Sequence, residues 1–422
     1  MKLLYNISIF HLELAFKVLS WFNDKIKRGL EGRKQSLEIV KSNITQQDKV
    51  LWMHAASLGE YEQGLPVLEK LKEKYPNHKV LVTFFSPSGY ENVVKKNKED
   101  ILCYLPFDKK STISEFVKAV NPEIFFTVKY DFWYHLLDEL KQSGAKIFVV
   151  SALFYETQTF FKFYGKWFVN QLQKNVDWIF HQTEKSFSLA QKIGLSKGSV
   201  SGDTRFDRVK QIKNRNNSVE FIDEFKADKK LLVFGSSWEA EEKIAMVLAK
   251  KLKDFKLIIA PHDLKRVQHL KQIFPNAILC SEIVKSLSCK TENETISQLN
   301  DFTTSQILII DSIGLLSKLY SYADISVVGG GFHDKGLHNI LEAATFGSPV
   351  IFGNHYKKNP EADELIAKNG AKAFADEFSA ADFIVELSKN ESQLKEMSEN
   401  AGNFVISQPN SSEIIFNKII FE

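Results

Sequence analysis

Residues 327–344 read VVGGGFHDKGLHNILEAA: an apolar run, three glycines, a loop and a helix-forming segment. This order predicts a buried β-strand that ends in a glycine-rich turn beside a helix N-terminus, an arrangement whose backbone amides bind phosphate. The glycines do not follow the GxGxxG spacing, and the stretch comes late in its half of the chain. A classical dinucleotide site is therefore disfavoured.

The same alternation of short apolar runs and helical segments extends over most of the chain. It predicts two doubly wound, Rossmann-like α/β domains with parallel sheets, facing each other across a cleft. In the first half the predicted strands are 50–54, 79–83, 101–105, 123–127, 146–150, 178–181 and 199–201. In the second half they are 231–234, 256–260, 277–279, 307–310, 325–328, 349–352 and 372–375.

The polar stretch 207–230 is interpreted as the connection between the two domains, and 281–305 as a surface excursion of the second. The predicted organisation is an N-terminal membrane-associated helix at 1–34, a first Rossmann-like domain at 35–212, a second at 213–395 and closing helices at 396–422.

The composition is that of an ordinary globular protein, with 44% hydrophobic and 25% charged residues among 422. It excludes a fully disordered chain, a collagen-like chain and a polytopic membrane protein. The net charge of only +3 gives no sign of a nucleic-acid partner. Cys103, Cys280 and Cys289 have no metal-ligand spacing and fit a reducing compartment.

The N-terminal stretch 1–22 is apolar but is interrupted by polar and charged residues such as Glu13 and Lys17. It is a poor membrane span and lacks the cleavage site of a signal peptide. The basic residues Lys25, Lys27, Arg28, Arg33 and Lys34 follow closely. This combination favours a helix that lies on an anionic cytoplasmic leaflet, with a membrane span and an ordinary core helix as the alternatives.

Two small-residue loops follow the first two strands, at 54–60 (HAASLGE) and 83–89 (TFFSPSG). Gly59 is expected to permit a sharp turn, and Pro66 to lie in the first turn of the following helix. Glu60 would then stand at the helix entrance, where it is either a general base or a carboxylate that favours the helix N-terminus. The second loop could cradle an anion or could be a plain βα turn.

Two further loops carry charge. The loop 128–133 (VKYDFW) contains Lys129 and Asp131, which either pair with each other or serve a reaction. Arg205, in the segment 202–207, is either an anion clamp or half of a surface Arg–Asp pair.

In the second half, Asn339 is a candidate N-cap and Glu342, one turn later, could reach the ribose of a nucleotide. His338 and Glu342 share a helix face, which leaves a metal site as an alternative that lacks a third ligand. The loops 235–239 and 260–266 follow the first two strands of this half, and each is either part of the same site or an ordinary connection.

Taken together, these motifs resemble the 3-deoxy-D-manno-octulosonic acid (Kdo) transferases of lipopolysaccharide assembly, which are inverting glycosyltransferases of the GT-B type. The segment 54–60 is similar to the family's HAASxGE loop, and 329–342 with 353–355 to its glycine block. The resemblance runs from residue 54 to about residue 370 in the same order.

The resemblance implies transfer of Kdo from CMP-Kdo to a hydroxyl of a lipid A precursor. It makes the first domain the acceptor-binding one and the second the donor-binding one. Glu60 would be the general base, Asp131 would support the transition state, and Arg205 would take the place of a family lysine. The implied substrate-binding residues are Ser57, Ser88, Pro261, His262, Ile313, Gly314, Leu315, Gly330, Gly336, His338, Asn339, Ile340, Leu341 and Glu342.

The implied protein needs no metal and no cofactor, because CMP-Kdo is a co-substrate. It would lie on the cytoplasmic face of the cell inner membrane, as a peripheral or singly anchored protein. The sequence departs from the family pattern at Lys129, His262, Ile340 and Arg205. The alternatives are a GT-B transferase that uses a UDP-sugar, a sugar-nucleotide epimerase, and a non-enzymatic binding module.

Overall fold

The computed structural model describes residues 1–97, 99–288, 304–357 and 359–421. The chain divides into two compact units. The first unit comprises Met1–Arg208 with Pro409–Glu422, and the second comprises Val209–Gln408.

Each unit contains a seven-stranded sheet in which every recorded strand pair is parallel. The strands of the first unit are β1 Val50–Ala55, β2 Lys79–Phe84, β3 Ile101–Tyr104, β4 Ile124–Val128, β5 Lys146–Ala152, β6 Trp178–His181 and β7 Gly198–Val200. Those of the second are β8 Lys230–Ser237, β9 Phe255–Pro261, β10 Ile278–Leu279, β11 Ile307–Ile309, β12 Ile325–Val328, β13 Val350–Gly353 and β14 Ala371–Phe374. Each predicted strand overlaps one of these, so the prediction of two doubly wound α/β domains is confirmed.

Helices connect the strands. Up to the border between the units they are α1 Lys2–Leu19, α2 Asp24–Asn43, α3 Leu58–Lys74, α4 Pro87–Val93, α5 Lys110–Val120, α6 Tyr134–Gln142, α7 Lys166–Asn175, α8 Glu184–Lys192 and α9 Thr204–Asn214. They continue as α10 Ile222–Lys226, α11 Glu239–Lys251, α12 Val267–Ile273, α13 Cys280–Ser288, α14 Leu316–Leu319, α15 Leu341–Ala344, α16 Pro360–Ala367, α17 Glu377–Lys389, α18 Glu391–Ile406 and α19 Ser411–Phe421.

The strand orders place one reversal of direction in each sheet. The order β3-β2-β1-β4-β5-β6-β7 reverses between β1 and β4, and β10-β11-β9-β8-β12-β13-β14 reverses between β8 and β12. Because the connections leave in opposite directions there, a crevice opens at the carboxyl ends of these strands. The loops after β1, β4, β8 and β12 are therefore the expected binding loops.

The core of the first unit explains why β1 is a central strand. Every residue of β1 is buried, and Trp52 packs edge-to-face on Phe125 of β4 at 5.1 Å between ring centroids. The Trp52 indole N–H donates to Thr83 Oγ1 at 2.9 Å, which satisfies the one polar atom of this large side chain.

Helix α1 is held on the first unit by one face and exposes the other. The Tyr5 hydroxyl donates to Asp108 at 2.6 Å, and Ile9 is buried. Large apolar side chains on the opposite face are exposed, namely Leu3, Leu4, Ile7, Phe10, Leu14 and Val18. Within the described part of the chain, no helix has the length and apolar character needed to cross a bilayer.

Two local expectations about α3 are wrong. The helix begins at Leu58, so Pro66 lies in its interior, and Gly59 lies in its first turn without a positive φ. The reason is that Ser57 and Glu60 form a capping box, which fixes the start of the helix earlier. The predicted connection 207–230 contains the border between the units, after Arg208, and includes most of α9 and all of α10.

Two other expectations meet the structure only in part. Of the predicted surface excursion, 281–288 belongs to α13, and 289–303, which includes Cys289, lies outside the described residues. Arg33, counted with the exposed basic cluster, is instead buried, with 7% of its surface exposed.

Asp108 links α1 to α6, since it also accepts the backbone N–H groups of His135 and Leu136 at 2.8 and 2.9 Å. Burial raises its pKa to about 6 in spite of these bonds. The folded protein therefore holds a proton that the unfolded chain releases near pH 4, so this group's stabilising contribution is lost as pH rises from 4 to 7. We expect the free energy of unfolding of the wild type to fall relative to Asp108→Asn by roughly 3 kcal/mol over that range.

Urea unfolding of both proteins at several pH values measures this difference. Asp48→Asn is the control of opposite sign, because hydrogen bonds from Thr45 and then Lys79 hold the pKa of Asp48 at about 2. Parallel stability curves for the wild type and Asp108→Asn would show that Asp108 is an ordinary carboxylate.

Candidate functional site

Glu60 lies just after β1, one of the two strands between which the first sheet reverses. Strand β1 ends at Ala55 and α3 begins at Leu58, with Ser57 as N-cap. The Ser57 backbone N–H donates to Glu60 Oε2 at 3.1 Å. Glu60 therefore has the helix-capping role that the sequence left as an alternative. A hydrogen bond from the Ala56 backbone also acts to lower the Glu60 pKa.

The surroundings of Glu60 favour its protonated form. Burial is the largest cause that raises its pKa, and the charge of Asp131 adds to it. Lys129 and His54 act in the opposite direction but do not cancel the increase. Sequence reasoning expected the helix N-terminus to lower this pKa unless the site was desolvated, and burial outweighs that effect here.

Asp131 is fixed by two donors. Its Oδ2 atom lies 2.6 Å from His54 Nε2 and 3.2 Å from Trp133 Nε1. His54 is fully buried, and its Nδ1 lies 2.9 Å from Thr83 Oγ1. Because a carboxylate only accepts, we assign the His54 proton to Nε2. The loop after β4 is thereby tied to β1 across the reversal.

His54 is the functional candidate that sequence reasoning missed. It ended the predicted strand 50–54 but was given no role, and the structure places it within β1, where its ring contacts Asp131. A histidine in an otherwise apolar buried strand was the available signal, since a buried imidazole requires partners.

The predicted loops after β1 and β2 are brought together. The Ser86 backbone N–H donates to the Ala56 carbonyl at 2.8 Å, and the Ser88 hydroxyl lies 2.7 Å from Ser86 Oγ. A methyl group added at Gly89 would approach the backbone of Ser57 to 3.2 Å. Ser57, the N-cap of α3, and Ser88, in the first turn of α4, therefore lie near each other at one edge of the sheet.

Arg205 is joined to Asp203. Its Nε donates to Asp203 Oδ2 at 2.7 Å, and Gln63 Nε2 donates to Asp203 Oδ1 at 2.7 Å. Burial opposes ionisation of Asp203, but the Arg205 charge and these hydrogen bonds hold its pKa below the ordinary value. The Arg–Asp pair that the sequence offered as an alternative is present, and Gln63 places it one turn from Glu60 on α3.

The glycine-rich loop follows β12, one of the two strands between which the second sheet reverses. Gly330 has φ +92° and donates its backbone N–H to Glu241 Oε1 at 3.1 Å. Gly331 lies so close to Gly353 that a methyl group there would clash. Glu241 also accepts the Trp238 backbone N–H at 2.8 Å, and burial raises its pKa. One buried carboxylate thus joins the loops after β8 and β12.

Four rings meet beside this loop. Trp238 stacks on His262 at 4.6 Å, and the ring of His262 lies 4.6 Å from that of His338. His333 meets Trp238 edge-on at 4.8 Å. Burial, followed by the two neighbouring imidazoles, lowers the pKa of His338 to about 4, so its ring is neutral at pH 7. Trp238 was not singled out from the sequence, although its loop was.

The remaining predicted donor residues occupy short elements. Pro261 ends β9 and His262 follows it, while Ile313 is 75% exposed and Gly314 has φ +104°. The helix expected after the glycines is only the four-residue α15, whose N-cap position is Ile340 rather than Asn339. Asn339 Oδ1 accepts from Leu341 N at 3.1 Å and Asn339 Nδ2 donates to Glu342 Oε1 at 3.1 Å.

The donor-side loops are related by direct contacts. The His338 backbone N–H donates to the Gly329 carbonyl at 3.0 Å, while Gly336 has φ +102°. The Tyr320 hydroxyl and Leu316, which follow the turn 313–315, lie against Gly235 at the end of β8. Across the described residues, no group of three His, Cys, Asp or Glu side chains could hold a metal ion.

Two doubly wound units with their loops at the sheet reversals define the GT-B class of glycosyltransferases and related sugar-nucleotide enzymes. The UDP-GlcNAc 2-epimerase of Neisseria meningitidis aligns with a TM-score of 0.59 at 15% identity, over 89% of this chain and all of that chain. MurG of Acinetobacter baumannii aligns with a TM-score of 0.51 at 15% identity, with the same coverage. At this identity the likeness concerns the fold alone.

The sequence comparisons relate the chain to one group of enzymes. Residues 31–208 match the family model of the 3-deoxy-D-manno-octulosonic-acid transferases. A Kdo transferase of Chlamydophila psittaci is 27% identical over 333 residues, which are 76% of this chain and 73% of that protein. One of Rickettsia bellii is 24% identical over 416 residues, which are 96% of this chain and 95% of that protein. The chain is therefore similar to the Kdo transferases.

The charges around Glu60 give opposite predictions for two variants. Asp131→Asn removes a negative charge that raises the Glu60 pKa, so that pKa should fall. Lys129→Met removes a positive charge that lowers it, so the Glu60 pKa should rise further. Carboxyl ¹³C NMR during a pH titration reports both changes. Shifts in the same direction, or no shift in either variant, would contradict the arrangement described.

Proposed function

We propose that the protein transfers Kdo from CMP-Kdo to a hydroxyl of a lipid A precursor (lipid IVA), with inversion at the sugar, in lipopolysaccharide core biosynthesis. The observation that carries the proposal is the position of Glu60, half-buried at the sheet reversal beside Asp131. The similarity to Kdo transferases supports the identity of the transferred sugar.

In the proposed step, the acceptor hydroxyl oxygen attacks the anomeric carbon of Kdo as Glu60 takes the hydroxyl proton. The bond from that carbon to the phosphate oxygen breaks, and its electron pair leaves with CMP. Positive charge develops on the sugar, as in other glycosyl transfers. The carboxylate of Asp131, held by His54, would stabilise that charge.

The raised pKa of Glu60 suits this role. A carboxylate of higher pKa is a stronger base, and a buried one is not solvated by water that would weaken it. The ionised form is required, so the transfer rate should rise with pH through the pKa of Glu60.

On the donor side, the leaving cytidylate is already a stable anion and requires cations and amides more than a protonating acid. The loop after β12 supplies backbone amides, and Lys335 lies 4.1 Å over the Trp238 ring. The flat surface of Trp238 and His262 would stack a cytosine base. This proposal requires no metal and no cofactor.

The acylated acceptor places the protein at the cytoplasmic face of the inner membrane, as a peripheral protein. The exposed apolar face of α1 and the exposed basic residues of α2, among them Lys25, Lys27 and Lys34, support this location. An apolar helix face beside basic side chains binds the interface of an anionic bilayer.

Glu60→Gln is the direct test of the base. Glutamine can still accept from the Ser57 N–H, so the capping box is kept while the base is removed. Incubation with CMP-Kdo and a tetra-acylated lipid A precursor, followed by mass spectrometry of the lipid, should show transfer reduced by at least about 10²-fold. CMP binding should be unchanged. Glu73→Gln, an exposed position on the same helix, is the matched control. Wild-type turnover in Glu60→Gln would remove Glu60 from its assigned role.

Nucleotide preference separates the alternatives. CMP and CTP should raise the melting temperature of the protein, and UDP should not, because the proposed donor is a cytidylate ester. Protection by UDP and not by CMP would instead favour a UDP-sugar transferase or an epimerase, whose fold this chain shares. Epimerisation of a UDP-sugar without any acceptor would identify the epimerase.

A further inference from the structure

Lys129 lies directly after Val128, the last residue of β4, and so beside the reversal of the first sheet. Its φ is +63°, in the left-handed region that a residue with a side chain adopts at a cost. Its backbone N–H donates to the Val150 carbonyl of β5 at 2.9 Å, so the sheet holds this conformation in place. Strained residues of this kind are concentrated at functional sites, which makes Lys129 a candidate for a role in the reaction.

The turn that contains Lys129 is fixed by further hydrogen bonds. Thr127 Oγ1 donates to the Asp131 backbone carbonyl at 3.2 Å, which closes the turn. The Asp131 carboxylate is held in turn by His54 and Trp133. Lys129 itself is half-buried. One positive and one negative side chain are therefore presented by the same ordered turn at the carboxyl end of β4.

Lys129 is close enough to Glu60 for their charges to interact. Burial and then the Asp131 charge raise the pKa of Glu60, and the Lys129 charge opposes both. Burial and then the Glu60 charge raise the pKa of Tyr130, the next residue of the turn. The side chains of Lys129 and Tyr130 therefore both lie near the proposed base.

Two arginines of α9 are paired with carboxylates. Arg205 Nε donates to Asp203 Oδ2 at 2.7 Å, and Arg208 Nε donates to Glu62 Oε2 at 2.5 Å. Because these carboxylates offset the two positive charges, the pairs add little net positive charge to their surroundings. Lys129, in contrast, acts on the proposed base itself.

The chemistry of the transferred sugar explains why a cation is needed at this place. Kdo is an acidic ketose, and its carboxylate is bonded directly to the anomeric carbon. In the proposed step that carbon approaches the hydroxyl oxygen whose proton Glu60 takes, so the Kdo carboxylate comes close to Glu60 and Asp131. Three negative groups would then repel one another where burial limits screening by water. A lysine beside them offsets this repulsion.

We propose that the Lys129 ammonium group binds the carboxylate of the Kdo that is transferred, and that it thereby selects an acidic ketose as the donor sugar. This inference rests on the proposed function, because it assigns a contact to the same donor. Lysine is a compact charge with three rotatable donors, which suits a carboxylate that moves as the sugar passes from one oxygen to another.

A double-mutant cycle on the protein and the donor tests this pairing. The wild type and Lys129→Met, both as the full chain, are compared with CMP-Kdo and with the analogue whose sugar carboxylate is a neutral carboxamide. Each rate is taken at a pH where it no longer rises. With CMP-Kdo, the variant should have a kcat/KM about 10- to 100-fold lower than the wild type, the worth of a hydrogen bond to a charged group. With the carboxamide, the two proteins should have the same kcat/KM.

Lys118→Met is the matched control, because it removes the same charge from an exposed position in the last turn of α5 and should behave as the wild type with both donors. Lys129→Arg keeps the charge and should keep the preference for CMP-Kdo over the carboxamide. If Lys129→Met does not fold, Lys129→Asn takes its place, since asparagine tolerates a positive φ.

Equal losses with the two donors in Lys129→Met would overturn the proposal, because Lys129 would then act on Glu60 or on the fold alone. So would wild-type turnover of CMP-Kdo by Lys129→Glu, which adds a further negative charge. In either case, transfer of Kdo by the wild type would leave the proposed function standing. A wild type that transfers no sugar from CMP-Kdo to the lipid would remove the proposed function, and this contact with it.

Discussion

The hydrogen bond of 2.6 Å between His54 Nε2 and Asp131 joins the two strands at which the first sheet reverses. This bond positions the Asp131 carboxylate, whose charge raises the pKa of Glu60. It also requires a buried His54, whose second ring nitrogen, Nδ1, is held by Thr83. Trp52 of β1 donates its indole N–H to Thr83 Oγ1, and the threonine hydroxyl can in turn donate to His54 Nδ1. The geometry of the proposed reaction centre is therefore set by the core of the sheet rather than by the loops alone.

In the second unit, too, a polar side chain links the two loops at the sheet reversal, but the residues are different. Glu241, buried in the first turn of α11, connects the loops after β8 and β12 through backbone donors on both. A carboxylate that accepts amides holds two loops at a fixed separation while leaving other amides of the glycine turn for a ligand. In both units, a polar side chain links the loops that follow the two strands of the sheet reversal.

The strands were predictable because a parallel sheet buries both faces, and its strands are short apolar runs between polar helices. The site was predictable only in part. Glu60 and Asp131 stand out as charges directly after strands, whereas the contacts made by His54 and Trp238 depend on which strands become neighbours. Arg33 was misread because a basic residue among lysines suggests a surface, and its burial follows from four aromatic rings contributed by distant segments.

The capping role of Glu60 does not compete with a role in proton transfer. The capping box occupies one lone pair of Oε2, and a carboxylate has further lone pairs that can accept the proton of a hydroxyl. A helix N-terminus alone would favour the ionised form and make a weak base. Here burial and the neighbouring Asp131 raise the pKa in spite of the helix, because removing water from a carboxylate costs more than one amide hydrogen bond returns. The capping box therefore fixes the position of the Glu60 carboxylate, while burial and Asp131 set its pKa.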